Sequence, residues 1–328
     1  EGLAGGLVFI FFTFFAIVVG SVITSRKRLY SIVNLMVFSG VAVSAYGIAQ
    51  YVLGMTGSLD WLDSEMFDGI SMRVYSTLQN PNVLAEYLLL TIPLTVGCFF
   101  KYKGAGRKLI YGASAAIMGV CMILTFSRGG WLGLLFAAAV FLVLLDKRFV
   151  FLGIAALVGL YFVLPQSVIE RFASIGNMAD TSTAYRVYIW MGTVKMLKDY
   201  WLCGTGFGQA AFSKVYPAYA LHAVSAPHAH NLFLQITCDC GIVGLIFFII
   251  ILFLFFKTLC GAASRTKDKE LRYMLLGFIS AVCGFLVQSM TDYTFYNYRV
   301  MLMFWAVMGI GLAAASLAEK REGEKEND

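Results

Sequence analysis

Apolar runs of about 17–25 residues recur from one end of the chain to the other, each long enough to cross a hydrocarbon core about 30 Å thick as a helix. A chain built this way folds in a bilayer. Strands of a membrane barrel would be shorter and would alternate polar with apolar residues, whereas a run such as GLIFFIIILFLFF (residues 244–256) is apolar on every side. The fold class is therefore an all-α membrane protein, a polytopic helical bundle. Composition agrees: 59% of residues are hydrophobic and 13% charged, against roughly 25% charged in soluble domains.

Nine spans are expected, at about 3–24, 31–53, 83–100, 109–126, 130–145, 149–164, 232–256, 273–290 and 300–317. The net charge of +6 raises the question of nucleic acid, and the placement of the basic residues answers it. SRKR, KYKGAGRK, DKR, KTLCGAASRTKDKELR and EKREGEKEND hold 17 of the 25 Lys and Arg. These connections alternate with ones that hold only eight. That is a topology signal, not a nucleic-acid patch, and the positive-inside rule puts the basic connections in the cytoplasm.

The opposite, outer side is then expected to receive segment 54–82, the tight SRGG turn, a long loop at 165–231 and TDYTFYNYR. On this reading residues 1–328 form a single transmembrane domain with an extracytoplasmic loop (165–231) and a cytoplasmic tail (318–328). The chain begins at Glu1 rather than at a methionine, so an odd number of further helices, such as three, is expected ahead of it. The first run is too long for a signal peptide and lacks a basic leader. Cys98, Cys121, Cys203, Cys238, Cys240, Cys260 and Cys283 form no CxxC pair or zinc spacing, and no disulfide is expected.

Within the long loop, Val187, Trp190, Met191, Val194, Leu197 and Trp201 follow helical spacing. An amphipathic helix along the outer membrane surface is predicted, capped by Ser182 or Thr183 and ended by GTGFG. GTGFG also invites a phosphate-loop reading, but no strand precedes it and the pattern alone is weak.

Arginine near a membrane is costly, so each outer arginine requires a reason. There are five: Arg73, Arg128, Arg171, Arg186 and Arg299. Arg128 sits in a turn with almost no loop and must face the bundle interior or the lipid headgroups. Snorkelling to lipid phosphates is the plain reading, above all for Arg171 and Arg299. Arg186 opens the amphipathic helix, where a helix N-terminus and a guanidinium together make an anion site. Several such arginines around one cavity would suit a pyrophosphate, which accepts the guanidinium fork bidentately. Arg73 precedes Asn80-Pro81-Asn82, which reads as a helix start.

PHAHNLFLQ, residues 227–235, holds His228 and His230, two of only three histidines. A metal site would need further ligands, and only His222 and Asp239 offer themselves. The pair is otherwise a structural feature satisfied by backbone groups, or a general base at an outer active site, since imidazole titrates near neutrality. No activated serine or cysteine motif accompanies it. Glu86 and Asp239, near span entrances, are further candidate acids.

The order NPNVLAEYL, SRGG, RVYIW, GTGFG, PHAHNLFLQITCDCGIVGL, over roughly residues 70–256, resembles the O-antigen ligase and polymerase superfamily of bacterial membrane glycosyltransferases. The resemblance implies a GT-C-like bundle of about twelve spans in the bacterial cytoplasmic (inner) membrane, with its active site facing outside. It implies a donor glycan on undecaprenyl pyrophosphate, a glycan or glycolipid acceptor, a lipid bilayer as surroundings, no nucleic acid, and no metal or other cofactor. His230 matches the histidine that activates the acceptor hydroxyl. Arg128 and Arg186 match arginines that hold the pyrophosphate, and Arg73 is a looser match. His228 and Asn231 would assist or shape the site. CDCG departs from relatives that carry a glutamate before the glycine, so no role passes to Asp239. Direct attack would invert the anomeric centre.

A multi-pass transporter of a small anion or polysaccharide precursor is the alternative. Transporters often show repeated halves with interrupted helices at mid-membrane, and no such repeat is visible. A non-catalytic scaffold in an export complex would leave the His and Arg pattern unexplained.

Overall fold

The computed structural model describes residues 2–55 and 72–326. The central part of segment 54–82, residues 56–71, lies outside the described residues. All regular structure among the described residues is helical. Two long helices, α1 (Gly2–Val22) and α2 (Arg26–Val52), come first. They are followed by α3 (Pro81–Lys101), α4 (Ala105–Leu124) and α5 (Arg128–Leu145). Shorter helices come next: α6 (Phe149–Tyr161), α7 (Gln166–Ala173), α8 (Thr181–Tyr200) and α9 (Gln209–Val215). Three long ones close the chain: α10 (Leu232–Arg265), α11 (Lys269–Ser289) and α12 (Tyr298–Glu326).

A helix entering an apolar medium cannot leave its first N–H groups to water, so a polar side chain must accept them. The sequence supplies one at most entrances. Ser25 accepts from Arg28 N, Asn80 from Asn82 N and Val83 N, Ser127 from Gly130 N, Asn231 from Leu234 N, and Asp268 from Glu270 N and Leu271 N. Pro81 occupies the first helical position, where a missing N–H costs nothing. Asn80-Pro81-Asn82 is thus a helix start, as expected.

Eight helices are long and apolar enough to cross a membrane, and the nine-span expectation holds only if α6 and α7 together count as one broken span. The difference lies at 149–164. α6 has 13 residues, about 20 Å of helix, and the chain then bends by 119° into α7. Leu164-Pro165 breaks it, since proline cannot continue the ladder and restrains its predecessor. The broken segment still covers the distance. It leaves the end of the bundle where Arg272 Nη2 reaches the Leu144 carbonyl, and it arrives where Arg128 Nη1 meets Ser174 Oγ.

α11 lies at the centre, packed against α3 and α5. The α5 crossing is close because both helices present glycine. A Cβ on Gly133 would stand 2.5 Å from the Gly284 carbonyl oxygen. Small residues bring backbones together where the lipid supplies no hydrophobic drive between helices.

The two sets of connections separate to opposite ends. At one end Arg26 pairs with Asp268, Lys101 lies over the Tyr30 ring and Arg265 pairs with Glu319 at 2.5 Å. At the other end gather residues 72–80, the α4–α5 turn, the segment from 174 to 231 and the turn from 290 to 297. α12 runs through most of the expected tail, as far as Glu326.

The long connection contains the predicted helix, α8, with two corrections. Its cap is Asp180, whose carboxylate accepts Thr183 N at 2.7 Å, rather than Ser182 or Thr183. Its protein-facing stripe is Ile189, Gly192, Thr193 and Met196, while Met191, Val194 and Trp201 of the expected stripe are exposed. The helix has two apolar faces, and periodicity alone does not say which one meets protein. The glycines of GTGFG end it as expected, with Gly204, Gly206 and Gly208 all at positive φ.

α10 is kinked at Gly241 (φ 69°, ψ −174°). The GTGFG loop occupies the kink: Ile242 N donates to the Trp201 carbonyl at 2.7 Å and Thr205 N to the Cys238 carbonyl at 2.5 Å. A positive φ and this close backbone approach both require glycine.

Candidate active site

Four arginines converge on one cavity of about 300 Å³ at the end of the bundle away from the basic connections. Arg128 is the first residue of α5 and Arg186 belongs to the second turn of α8. Arg171 comes from α7 and Arg73 from the irregular segment before α3. The N-termini of α5 and α8 both face the cavity through Ser127, Gly129, Ser182 and Thr183. Each adds the positive end of a helix dipole.

Asp180 organises two of these guanidiniums. Its Oδ1 accepts Arg128 Nη2 at 2.7 Å, its Oδ2 faces Arg171 Nη1 at 3.3 Å, and its side chain is fully buried. Burial opposes the carboxylate, but the Arg128 guanidinium and the Thr183 N–H hold its pKa below the usual value. Arg128 and Arg171 are accordingly turned into the protein, with 10% and 4% of their side chains exposed. Snorkelling to headgroups is ruled out for this pair. Arg299 is the exposed one, donating to the Thr77 carbonyl at 3.2 Å.

Arg73 is fixed by the Thr125 carbonyl at 2.9 Å and by Asn82 Oδ1 at 3.0 Å. Burial, then the charges of Arg171, Arg186 and Arg128, push its pKa down to about 9. It remains cationic at neutral pH. Arg186 is held by Ser182 Oγ at 2.7 Å and lies 4.0 Å from Asp292 Oδ2. Four guanidiniums thus line a cavity with one carboxylate, Asp292, in its wall and a second, Asp180, buried behind Arg128 and Arg171, and the balance is positive.

His230 stands behind the Asp292 wall of this cavity. Its Nδ1 lies 3.2 Å from Asp292 Oδ1, so one carboxylate joins the histidine to Arg186. Asn82 Nδ2 and Tyr293 N also donate to Asp292. Burial works against this carboxylate, yet His230, Arg186 and His228 keep its pKa well below the usual range. Trp190 Nε1 donates to the His230 carbonyl at 3.0 Å, and the Tyr185 ring meets the imidazole edge to face at 5.6 Å. With Nδ1 turned to Asp292, Nε2 is the ring nitrogen left to exchange a proton.

The two histidine ring centroids are 4.1 Å apart. His230 has φ 44°, in the left-handed region, and His228 Nδ1 accepts the His230 N–H at 3.3 Å. Burial and the neighbouring His230 push the His228 pKa down to about 3. His228 is therefore a neutral acceptor that shapes the turn. Asn231 caps α10 and also donates through Nδ2 to the Met290 carbonyl at 2.8 Å, fastening the histidine segment to the end of α11. Gln235 continues the fastening: its Oε1 accepts Ala229 N and its Nε2 donates to Asp239 Oδ1. Asp239 braces the turn and does not line the arginine cavity. His222, the other proposed ligand, packs against Tyr188. Among the described residues no three His, Cys, Asp or Glu side chains gather in a metal-binding group.

All four arginines and His230 are therefore brought together. Sequence reasoning missed Asp292, Asp180 and the inward turn of Arg171. A signal existed for Asp180, which precedes the predicted helix, but Ser182 and Thr183 are equally good caps. Asp292 lies 62 positions from its histidine, and nothing in local spacing connects them.

Residues 113–249 match the family described as O-antigen ligase. The match holds Arg128, Arg171, Asp180, Arg186, His228, His230 and Asn231, and leaves Arg73 and Asp292 outside. No curated protein matches the chain. The resemblance to the O-antigen ligase and polymerase superfamily holds over that stretch. The protein is thus a multi-pass membrane protein with an O-antigen ligase-like segment, the setting of surface polysaccharide biosynthesis from lipid-linked glycans.

Proposed function

We propose that the protein is a glycosyltransferase of the bacterial cytoplasmic membrane that moves or polymerises an undecaprenyl-pyrophosphate-linked glycan onto a sugar hydroxyl. The end of the bundle with the arginine cavity, including the 165–231 connection, faces outside in this reading. One observation carries it: Asp292 joins His230 to Arg186 at the rim of a cavity holding four guanidiniums.

A sugar hydroxyl is a poor nucleophile at neutral pH. His230 Nε2 takes its proton as the new C1–O bond forms and the bond from C1 to the phosphate oxygen breaks, with inversion at C1. A base so placed contributes on the order of 100- to 10,000-fold. The departing lipid pyrophosphate gathers negative charge, and Arg128, Arg186 and Arg73 stabilise it in place. Their mutual repulsion is what a bound dianion relieves. Arg171 and Asp180 hold Arg128 in position, while His228 and Asn231 fix the turn. A transporter is disfavoured because these polar groups collect at one end of the bundle rather than at its midplane.

The test supplies lipid-linked glycan and acceptor to purified protein in nanodiscs. His230→Ala, Arg128→Ala and Arg186→Ala are each expected to lower turnover at least 100-fold, with wild-type turnover insensitive to chelator. Unchanged turnover in all three variants overturns the assignment.

A further inference from the structure

The turn between α11 and α12 has two faces. Asp292 looks into the arginine cavity, and the next residue, Tyr293, helps line a second cavity of about 650 Å³ on the other side. The histidine pair enters neither cavity but links the two linings, His230 through Asp292 and His228 through Tyr293 and Tyr296. The His228 ring lies 5.5 Å from Tyr293 and 5.2 Å from Tyr296, and the His230 ring is 4.1 Å from His228.

The chemistry of the second cavity differs from that of the first. Its walls are the rings of Phe207, Tyr293, Tyr296 and Tyr298, with the amides of Gln209 and Asn297 among them. Tyr296 and Tyr298 are half exposed, at 50% and 56%. Phe207, from the GTGFG loop, is anchored on Phe9 at 5.5 Å. The one cation among the described lining residues, Arg299, already donates to the Thr77 carbonyl. Such a lining does not suit a phosphate, which needs several cations, nor a lipid tail, which gains nothing from amides. It suits a pyranose chain, whose C–H faces stack on aromatic rings while its hydroxyls bond planar amides. The volume falls within the roughly 300–1,000 Å³ of small-molecule sites.

We propose that this aromatic cavity is the acceptor subsite, binding a carbohydrate chain so that its attacking hydroxyl passes the Tyr293–His228 wall to reach His230. Donor and acceptor then approach the base from opposite faces of one turn. The hydroxyl proton goes to His230, its oxygen bonds C1, and the pyrophosphate leaves on the arginine side. The inference rests on the transferase reading of the site, and it names what that reading leaves unspecified: where the acceptor lies and what holds it.

The test uses the full chain in nanodiscs. The probe is the free oligosaccharide released by mild acid from the lipid-linked repeat unit of the same cells. Tyr296→Ala and Tyr298→Ala are expected to raise the acceptor KM about tenfold with donor KM within twofold, and Tyr296→Trp is expected to restore it. Saturation-transfer NMR reads binding without turnover. The signal is expected to weaken in Tyr296→Ala and to persist in His230→Ala and Arg186→Ala. If both alanine variants leave acceptor KM and NMR signal unchanged, or raise donor KM instead, the subsite is wrong. If binding depends on Tyr296 but His230→Ala turns over normally, the subsite stands and the base assignment falls.

Discussion

His230 Nδ1 lies 3.2 Å from Asp292 Oδ1, across 62 positions of sequence, joining the segment before α10 to the turn between α11 and α12. The carboxylate fixes the ring orientation and tautomer and stabilises the imidazolium that forms when the ring takes a proton. Asp292→Asn keeps the shape and loses the charge. Its kcat is expected to fall on the order of 100-fold or more, with only a few-fold change in donor KM from the loss of the Arg186 contact. An unchanged kcat in steady-state assays would remove Asp292 from the mechanism.

Asp180 is expected to be a stability residue first. Removing one partner of a buried ion pair costs about 3–5 kcal/mol because the other charge is left unpaired. Asp180→Ala removes the carboxylate shared by two guanidiniums and uncaps α8, so denaturation in detergent should show a loss of about that size. Arg186→Ala should leave stability within about 1 kcal/mol, because its contacts are partly exposed, while raising donor KM. A double-mutant cycle between Arg128 and Asp180 should report coupling of about 1–3 kcal/mol. Additive losses would mean that the 2.7 Å contact contributes little.

These two aspartates mark the limit of what the sequence discloses. The spans were legible because a long apolar run has one good solution in a bilayer. His230 and the arginines were legible because charge is costly there and few residues carry it. Asp292 sits in TDYTFYNYR, a turn full of polar residues, and only tertiary packing singles it out. The buried face of α8 was hidden by its second apolar stripe, and the 149–164 span by a composition that says nothing about where proline bends it.

The neutral His228 makes stability depend on pH. Its folded pKa, near 3, lies below the roughly 6.5 of an unfolded histidine, so between those values the unfolded state binds the extra proton. Stability therefore falls as pH drops from about 6.5 toward 3, by at most about 5 kcal/mol. His228→Asn retains an acceptor for the His230 N–H and removes the titration. The variant's melting temperature should change less than the wild type's between pH 7.5 and 5, and parallel curves would show that another group controls the dependence.

Gly241→Ala should detach the GTGFG loop. The position has φ 69°, and an added Cβ would run into the Leu202 carbonyl. Helix α10 must then straighten or the loop must lift, and either movement shifts the half-helix that carries Asn231. Proteolysis of the 201–208 segment should accelerate at least tenfold, corresponding to about 1.4 kcal/mol of local opening, with activity lost in parallel. Protection and activity both equal to wild type would show that the kink is not needed.

The turn from 290 to 297 follows every other part of the site in sequence. Arg73, Arg128, Arg171 and Arg186 all precede it, and so do both histidines, yet it provides the carboxylate that His230 leans on and the tyrosines beside it. A chain that has reached residue 280 holds the four arginines and both histidines but lacks the carboxylate that faces His230. On the transferase reading proposed above, formation of the α11–α12 hairpin is the step that assembles the site.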